Sequence, residues 1–269
     1  MELSIITINL NNLEGLRKTV ESVVSQTWKD FEWIIIDGGS SDGSKELIEE
    51  NEAHFSYWCS EPDQGIYNAM NKGAEKATGQ YLLFLNSGDV LFDNTVLERV
   101  HSMGIQSDIV TGQMVRMDNG ALLRRYDKDI VMQLFHRTIN HQATFIRKEL
   151  FDEIKYDENL KIVSDWKFWL EAIVLRSCSF EVLDFPIAKQ DMTGISLSDQ
   201  HEDLLLAERK QVLEELFPPR IIETLQNYQS LRSQPNVRNL LYLSDRRPRV
   251  HAALKKLISF VTLASQKTS

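Results

Sequence analysis

Short apolar runs alternate with amphipathic stretches through the first hundred residues. Leu3-Ser4-Ile5-Ile6-Thr7-Ile8 predicts a strand, and residues 13–26, with Leu16, Val20, Val23 and Val24 on one face, predict a helix. Residues 31–36 predict a second strand, closed by Asp37-Gly38-Gly39-Ser40-Ser41-Asp42-Gly43 and followed by a short helix over 44–50. A third strand over 54–59 and a helix over about 65–77 come next. Tyr81-Leu82-Leu83-Phe84-Leu85 then reads as a buried strand that stops abruptly in Asn86-Ser87-Gly88-Asp89. Strand and helix in alternation predict an α/β fold, a mostly parallel central sheet flanked by helices on both faces. In such sheets ligands bind beyond the carboxyl ends of the strands. Three apolar strands end in small polar or acidic residues, at Asn9, at Asp37 and at 86–89, and parallel strands put all three clusters along one edge.

Beyond about residue 105 the pattern loosens. Residues 108–116 and 121–126 predict paired strands around the turn Asp118-Asn119-Gly120. Residues 141–146 predict another strand, and 165–175 a helix with Trp166, Trp169, Leu170 and Ile173 on one face, where the two indoles belong to the core. A long helix over 198–217 ends at Pro218-Pro219.

Composition and charge narrow the class. Apolar residues make up 42% and charged residues 26% of 269, the balance of an ordinary globular chain. Cys59 and Cys178 have no C-x-x-C partner, which suits a reducing compartment and no structural zinc. The opening residues carry no signal-peptide pattern, and no run approaches the ~20 apolar residues of a membrane span, so a cytoplasmic location is expected. The formal charge of −9 is uneven: from Gln229 onward there are eight Lys or Arg against one acid, Asp245. An acidic body with a basic tail predicts no nucleic-acid partner. The tail segment 246–264 mixes Leu254, Leu257, Ile258 and Phe260 with Lys255 and Lys256. It suits either an anionic membrane surface or packing on its own domain or a second subunit.

The polar strand ends suggest chemistry. Backbone N–H groups of a Gly-rich loop donate to phosphate or sugar oxygens, and a carboxylate accepts from ribose hydroxyls or a base N–H. Asp37 precedes its turn and is read as a ligand contact, whereas Asp42 is read as a cap for the following helix. Asp89 is read as a metal-holding carboxylate beside a diphosphate, against the alternative of a turn Asp capping the next helix. No G-x-G-x-x-G follows the first strand, and P-loop and G-x-S-x-G motifs are absent. A nicotinamide oxidoreductase is therefore not expected.

The pieces "SIITINLNN", "FEWIIIDGGSSDGS", "SEPDQGIYNAMNKGAEKATGQYLLFLNSGD", "INHQATFIRKELF" and "SDWKFWLEA" together resemble the family-2 glycosyltransferases, over about residues 3–195 and in the family's order. The likeness is strongest to bacterial enzymes of capsule, colanic-acid and exopolysaccharide biosynthesis. The resemblance implies a GT-A fold for nucleotide-diphospho-sugar transfer over 1–195, with a donor half at 1–105, an acceptor half at 106–195 and a helical extension at 196–269. It also implies an inverting transfer from a nucleotide-diphosphate sugar, UDP-linked, to a saccharide or lipid-linked acceptor, in the cytoplasm or at the inner face of the membrane. By that match Thr7, Asn9, Asp37, Asp63 and Asn71 belong to the donor site. Asn86, Ser87, Gly88 and Asp89 occupy the D-x-D position, with Asp89 as the principal ligand of Mg²⁺ or Mn²⁺. The commoner pattern there is Asp-x-Asp-Asp. Asn86 and Gly88 replace two acids, which leaves open both the metal dependence and a non-catalytic saccharide-binding alternative. His141 and Gln142 face the acceptor or diphosphate, and Asp165, which by its own position would serve equally as a helix cap, matches the base that takes the acceptor's proton. A nucleotidyltransferase is the nearest enzymatic alternative, although it favours a glycine- and basic-rich first loop.

Overall fold

The computed structural model describes residues 2–124, 126, 130–190 and 202–235. The chain divides into two compact units, Met1–Val212 and Leu213–Ser269.

The first unit is built on β1 (Leu3–Asn9), β2 (Phe31–Asp37), β3 (Tyr57–Ser60) and β4 (Tyr81–Phe84), which run parallel in the order β3-β2-β1-β4. The apolar runs do what their composition requires, since every side chain of β1 and β4 is buried. Alternation divides them between two layers. Leu3, Ile5, Trp33, Ile35, Tyr81 and Leu83 meet Leu16, Val20 and Val23 of α1 (Leu13–Val24) and Leu47 and Ile48 of α2 (Ser44–Glu50). On the other face lies α3 (Ile66–Lys76), which approaches so closely that a Cβ on Gly73 would stand 2.4 Å from Ile6 Cγ2. Gly73 is the position where this helix has to lack a side chain.

Past β4 the chain continues through β5 (Val90–Leu91), α4 (Val96–Met103), the hairpin β6 (Ile109–Arg116) and β7 (Leu122–Arg124), and α5 (Ile130–Leu134). The Asp118-Asn119-Gly120 turn stands where the sequence predicts it, with Gly120 at φ 66°. The strand expected at 141–146 is shorter. His141–Ala143 is a 3₁₀ turn, and β8 (Thr144–Arg147) inserts antiparallel between β4 and β6. Then come α6 (Lys148–Ile154), α7 (Ser164–Trp169) with a π turn over Leu170–Leu175, and β9 (Phe180–Gln190). Strand β9, which the sequence reading missed, runs parallel to β6 and antiparallel to β5. Trp166 and Trp169 are core residues, as expected, with indole N–H groups donating to the carbonyls of Leu134 (2.6 Å) and Ile139 (3.1 Å). The expected long helix is α8 (Glu202–Leu216), most of which falls within the first unit although the sequence reading gave it to the extension. The second unit contains α9 (Pro219–Ser233), with proline at its first position. The basic stretch 246–264 lies outside the described residues.

Candidate active site

The parallel register sets Asn9 beside Asp37 and Asp37 beside Ser60, so three strand tips end level. The Asp37 carboxylate is fully buried between them. Its Oδ1 accepts from Asn9 Nδ2 (2.8 Å) and Ser40 Oγ (2.6 Å). Its Oδ2 accepts from Ser60 Oγ (2.6 Å) and from the backbone N–H groups of Ser40 (2.9 Å) and Gly39 (3.2 Å). Burial pushes the carboxyl's pKa up, but the hydroxyls of Ser40 and Ser60, the Asn9 amide and the Ser40 N–H outweigh it and hold the group below its ordinary value. About four lone-pair positions meet five donors, and the ionised side chain organises the edge from within. Thr7, expected in the donor site, is fully buried in β1, with Oγ1 accepting from Trp33 Nε1 at 3.1 Å. Asn9 does stand at the edge, and its Oδ1 is buried without a partner.

Loops beyond the tips are tied to one another. Asn11, at φ 47°, donates its N–H to Ser40 Oγ (2.7 Å), and its Oδ1 accepts from Ser41 N–H (2.9 Å). Asp42, one residue before the N-cap Gly43, accepts from Ser44 N–H (3.1 Å) at the start of α2 and also from Leu13 N–H (2.8 Å). Asp63 comes to the same corner. A Cβ on Gly38 would fall 2.6 Å from Asp63 Oδ2, so the carboxylate lies against the tip of β2. Asn71 does not join them. Its amide donates to Tyr156 O (2.9 Å) and Glu158 Oε1 (2.8 Å) and accepts from Tyr156 N–H (3.1 Å), which makes it a clamp between α3 and the 156–158 segment.

The Asn86–Asp89 turn continues beside β1, with Ser87 N–H donating to Ile8 O at 3.0 Å. Gly88 sits at φ 101°, a conformation that favours glycine. Thr19 of α1 holds the turn from beneath: Oγ1 accepts from Gly88 N–H (3.0 Å) and donates to Asp89 O (2.8 Å). Asn12 caps α1 through Gly15 N–H and donates to Ser87 O at 3.1 Å. Asp89 is 7% exposed.

From this turn the polar surface crosses to the second half of the sheet. Asn86 Nδ2 meets His141 Nε2 at 3.2 Å, and His141 Nδ1 lies 3.6 Å from Asp165 Oδ2, too long for a hydrogen bond but well within Coulombic reach. Asp165, 8% exposed, accepts from Trp166 N–H (2.8 Å) and Tyr67 OH (3.4 Å) on Oδ1 and from Thr138 Oγ1 (3.2 Å) on Oδ2. Ser164 Oγ is buried without a partner, so Asp165, not Ser164, satisfies an N–H in the first turn of α7. Burial, then the nearby Asp165 charge, push the Tyr67 hydroxyl well above its ordinary pKa and keep it a neutral donor. Gln142 is buried in the same 3₁₀ turn as His141. Asn9, Asp37, Asp63, Asn86, Ser87, Gly88, Asp89, His141 and Asp165 thus border one connected polar surface.

The sequence profile described as glycosyl transferase family 2 matches residues 4–164, more than half of the chain. The chain belongs to glycosyl transferase family 2. Among its relatives is the PGL/p-HBAD biosynthesis glycosyltransferase of Mycobacterium bovis, 36% identical over 173 residues, which are 61% of this chain and 67% of the relative. In fold it is similar to S. aureus TarS 1-349, solved in complex with UDP-GlcNAc (TM-score 0.61, 17% identity, 80% of this chain and 71% of that one). It is also similar to a mannosyltransferase from Pyrobaculum calidifontis, solved in complex with GDP-Man and Mn²⁺ (TM-score 0.62, 11% identity, 97% and 80%). The chain is therefore a family-2 glycosyltransferase of GT-A type, which decides against the nucleotidyltransferase alternative.

Sequence reasoning missed four residues of this family-2 site: Thr19, Ser40, Ser60 and Asn12. Thr19 left a signal, a hydroxyl on the otherwise apolar face of Leu16, Val20 and Val23. Among the described residues no three His, Cys, Asp or Glu side chains gather as a metal cluster. The donor set still fits a hard divalent ion that takes one carboxylate plus phosphate and water oxygens. Asp89 supplies the carboxylate, and the neighbouring Asn86 Oδ1 is buried without a partner.

Proposed function

We propose that the chain is an inverting transferase that moves a sugar from a UDP-sugar to the hydroxyl of a saccharide or lipid-linked saccharide in the synthesis of a cell-surface polysaccharide. The observation that carries this reading is the side-chain path from Asp165 through His141 to Asn86, which brings a carboxylate from the second half of the sheet to the edge where three parallel strands end. The nucleotide lies against Asn9, Asp63 and the loops that Asp37 organises. The diphosphate lies at Ser87, Gly88 and Asp89, and Gln142 and His141 face the space between it and the acceptor. Asp89 and Asn86 Oδ1 would hold Mg²⁺ or Mn²⁺, whose charge offsets that of the departing diphosphate.

Ionised Asp165 takes the acceptor's proton as the hydroxyl oxygen bonds to the anomeric carbon. The bond from that carbon to the diphosphate oxygen breaks, and the nucleoside diphosphate leaves with the electron pair. One displacement inverts the anomeric centre. The choice of UDP draws on the TarS complex with UDP-GlcNAc, and the lipid-linked acceptor on the basic segment 246–264. No helix among the described residues is long and apolar enough to cross a membrane. The basic segment 246–264 would supply a peripheral attachment at the inner face.

A panel of UDP-, GDP- and dTDP-hexoses with and without Mn²⁺ tests the proposal by thermal shift and nucleotide release. A UDP-sugar at about a hundred times its Kd should stabilise the fold by ~2.7 kcal/mol. A panel in which no nucleotide sugar binds or turns over would sink the reading.

A further inference from the structure

We propose that Glu208 of α8 is a positioning residue for transfer, holding the backbone that carries Asp165. The inference rests on the reading of Asp165 as the base. Glu208 is buried, and its carboxylate receives three consecutive backbone N–H groups. Lys161 N–H donates to Oε1 at 2.6 Å, and the N–H groups of Ile162 (2.9 Å) and Val163 (3.2 Å) donate to Oε2. Successive N–H groups turned to one side form a concavity for an anion, and here the anion comes from a helix about 45 residues away in sequence. Ser164 and Asp165 follow directly.

The same strap is gripped from its other side. Ile162 C=O accepts from Tyr67 OH at 2.6 Å, and that hydroxyl also reaches Asp165 Oδ1. Residues 161–163 are thus fixed through their N–H groups by α8 and through a C=O by α3, immediately before the base. Arg209, the next residue of α8, lays its guanidinium 4.7 Å from the Trp166 ring centre and donates to His136 O at 3.2 Å. The helix therefore touches the residue after Asp165 and the segment leading to Thr138, which donates to the carboxylate. Glu208 lies beyond the region that the family profile matches. In this chain α8 completes the support of a site whose proposed reacting groups all precede it. A base must be held within fractions of an ångström of its working position, and displacement of about 1 Å lowers rates about a hundredfold.

The full chain, its Glu208→Gln and Glu208→Asp variants, and Asp165→Asn are compared in nucleotide release from whichever UDP-, GDP- or dTDP-hexose the unsubstituted protein turns over best. Gln keeps the side chain's length but sets an NH₂ group against N–H donors. The expected result for Glu208→Gln is a fall in kcat of about ten- to a hundred-fold with donor KM within about twofold. Glu208→Asp, which keeps the charge, should recover part of the loss, and it takes over the test if the Gln variant does not fold. Unchanged kcat overturns the proposal, as does a loss in which kcat, KM and thermal midpoint all move together as for a merely structural contact. Failure of the parent reading looks different: Asp165→Asn would then turn over like the unsubstituted protein, or the unsubstituted protein would turn over no donor.

Discussion

Replacing Asp165 by Asn separates chemistry from architecture, because the structure allows the amide to keep nearly every contact. With its carbonyl in the place of Oδ1, the amide side chain still accepts from Trp166 N–H (2.8 Å) and Tyr67 OH (3.4 Å). Its NH₂ in the place of Oδ2 donates to Thr138 Oγ1, whose own proton already has an acceptor in Ile139 O at 3.2 Å. No bond is lost in number, but each changes from charge-assisted, about 1.5–3 kcal/mol, to neutral, about 0.5–1.5 kcal/mol. Relief from burying a charge offsets part of that difference. The expected stability change is about 1 kcal/mol, or about 2–4 °C in thermal midpoint for a unit of this size. Loss of the general base should lower kcat by about 10²–10⁴, equivalent to about 3–5 kcal/mol of barrier. Nucleotide release gives kcat, calorimetry with UDP gives donor affinity, and a melt gives stability. A variant with kcat within about threefold of the unsubstituted protein refutes Asp165 as the base. One that has lost UDP binding along with kcat moves Asp165 into the donor site.

Thr19→Val removes the hydroxyl that accepts from Gly88 N–H and donates to Asp89 O, taking a hydrogen bond from each under the turn. Stability should fall by about 1–3 kcal/mol, with weaker Mn²⁺-dependent nucleotide binding in calorimetry, and unchanged binding would remove the turn from the diphosphate site. Asp37 has a folded-state pKa below its ordinary value, so its contribution to stability is fully present above the unfolded pKa and is lost as pH falls through the folded one. Urea midpoints measured between about pH 2 and pH 6 should drop on the acid side below about pH 4, and Asp37→Asn should flatten that drop. Asn86→Asp restores the acid of the commoner family pattern and should tighten Mn²⁺ binding by calorimetry about tenfold, a gain of ~1.4 kcal/mol. Affinity equal to that of the unsubstituted protein would show that position 86 does not face the metal.

The site's outline was legible in the sequence because three buried strands must surface somewhere, and parallel strands surface on one side. Tyr81-Leu82-Leu83-Phe84-Leu85 can only be core, which fixes where Asn86 emerges. What each polar residue does there was not legible. Asp37 reads as an open carboxylate until Ser60 and Asn9, 23 and 28 positions away, supply donors that enclose it. Asn71 reads as a polar residue on the approach to a binding site until the 156–158 segment arrives across its amide. Strand β9 escaped because Pro186 breaks its pattern, lacking the N–H a ladder requires. The sheet accommodates it where the β6–β9 register shifts on both sides of Gln113, the residue facing Pro186. Position in a strand could be read locally, whereas hydrogen-bond saturation depended on partners that only the fold brings together.

Asn86 shows how one departure from the family's usual acids can serve two ends. Its amide nitrogen stands 3.2 Å from His141 Nε2, and the other ring nitrogen, Nδ1, lies 3.6 Å from Asp165 Oδ2. The imidazole thus spans the gap between the donor edge and the carboxylate proposed as the base. The neutral amide gives up metal-binding charge at the donor edge and, in exchange, meets the ring that lies against Asp165. The polar turn Asn86-Ser87-Gly88-Asp89 is thus linked through Asn86 to His141, and a substitution at position 86 has to be considered together with position 141.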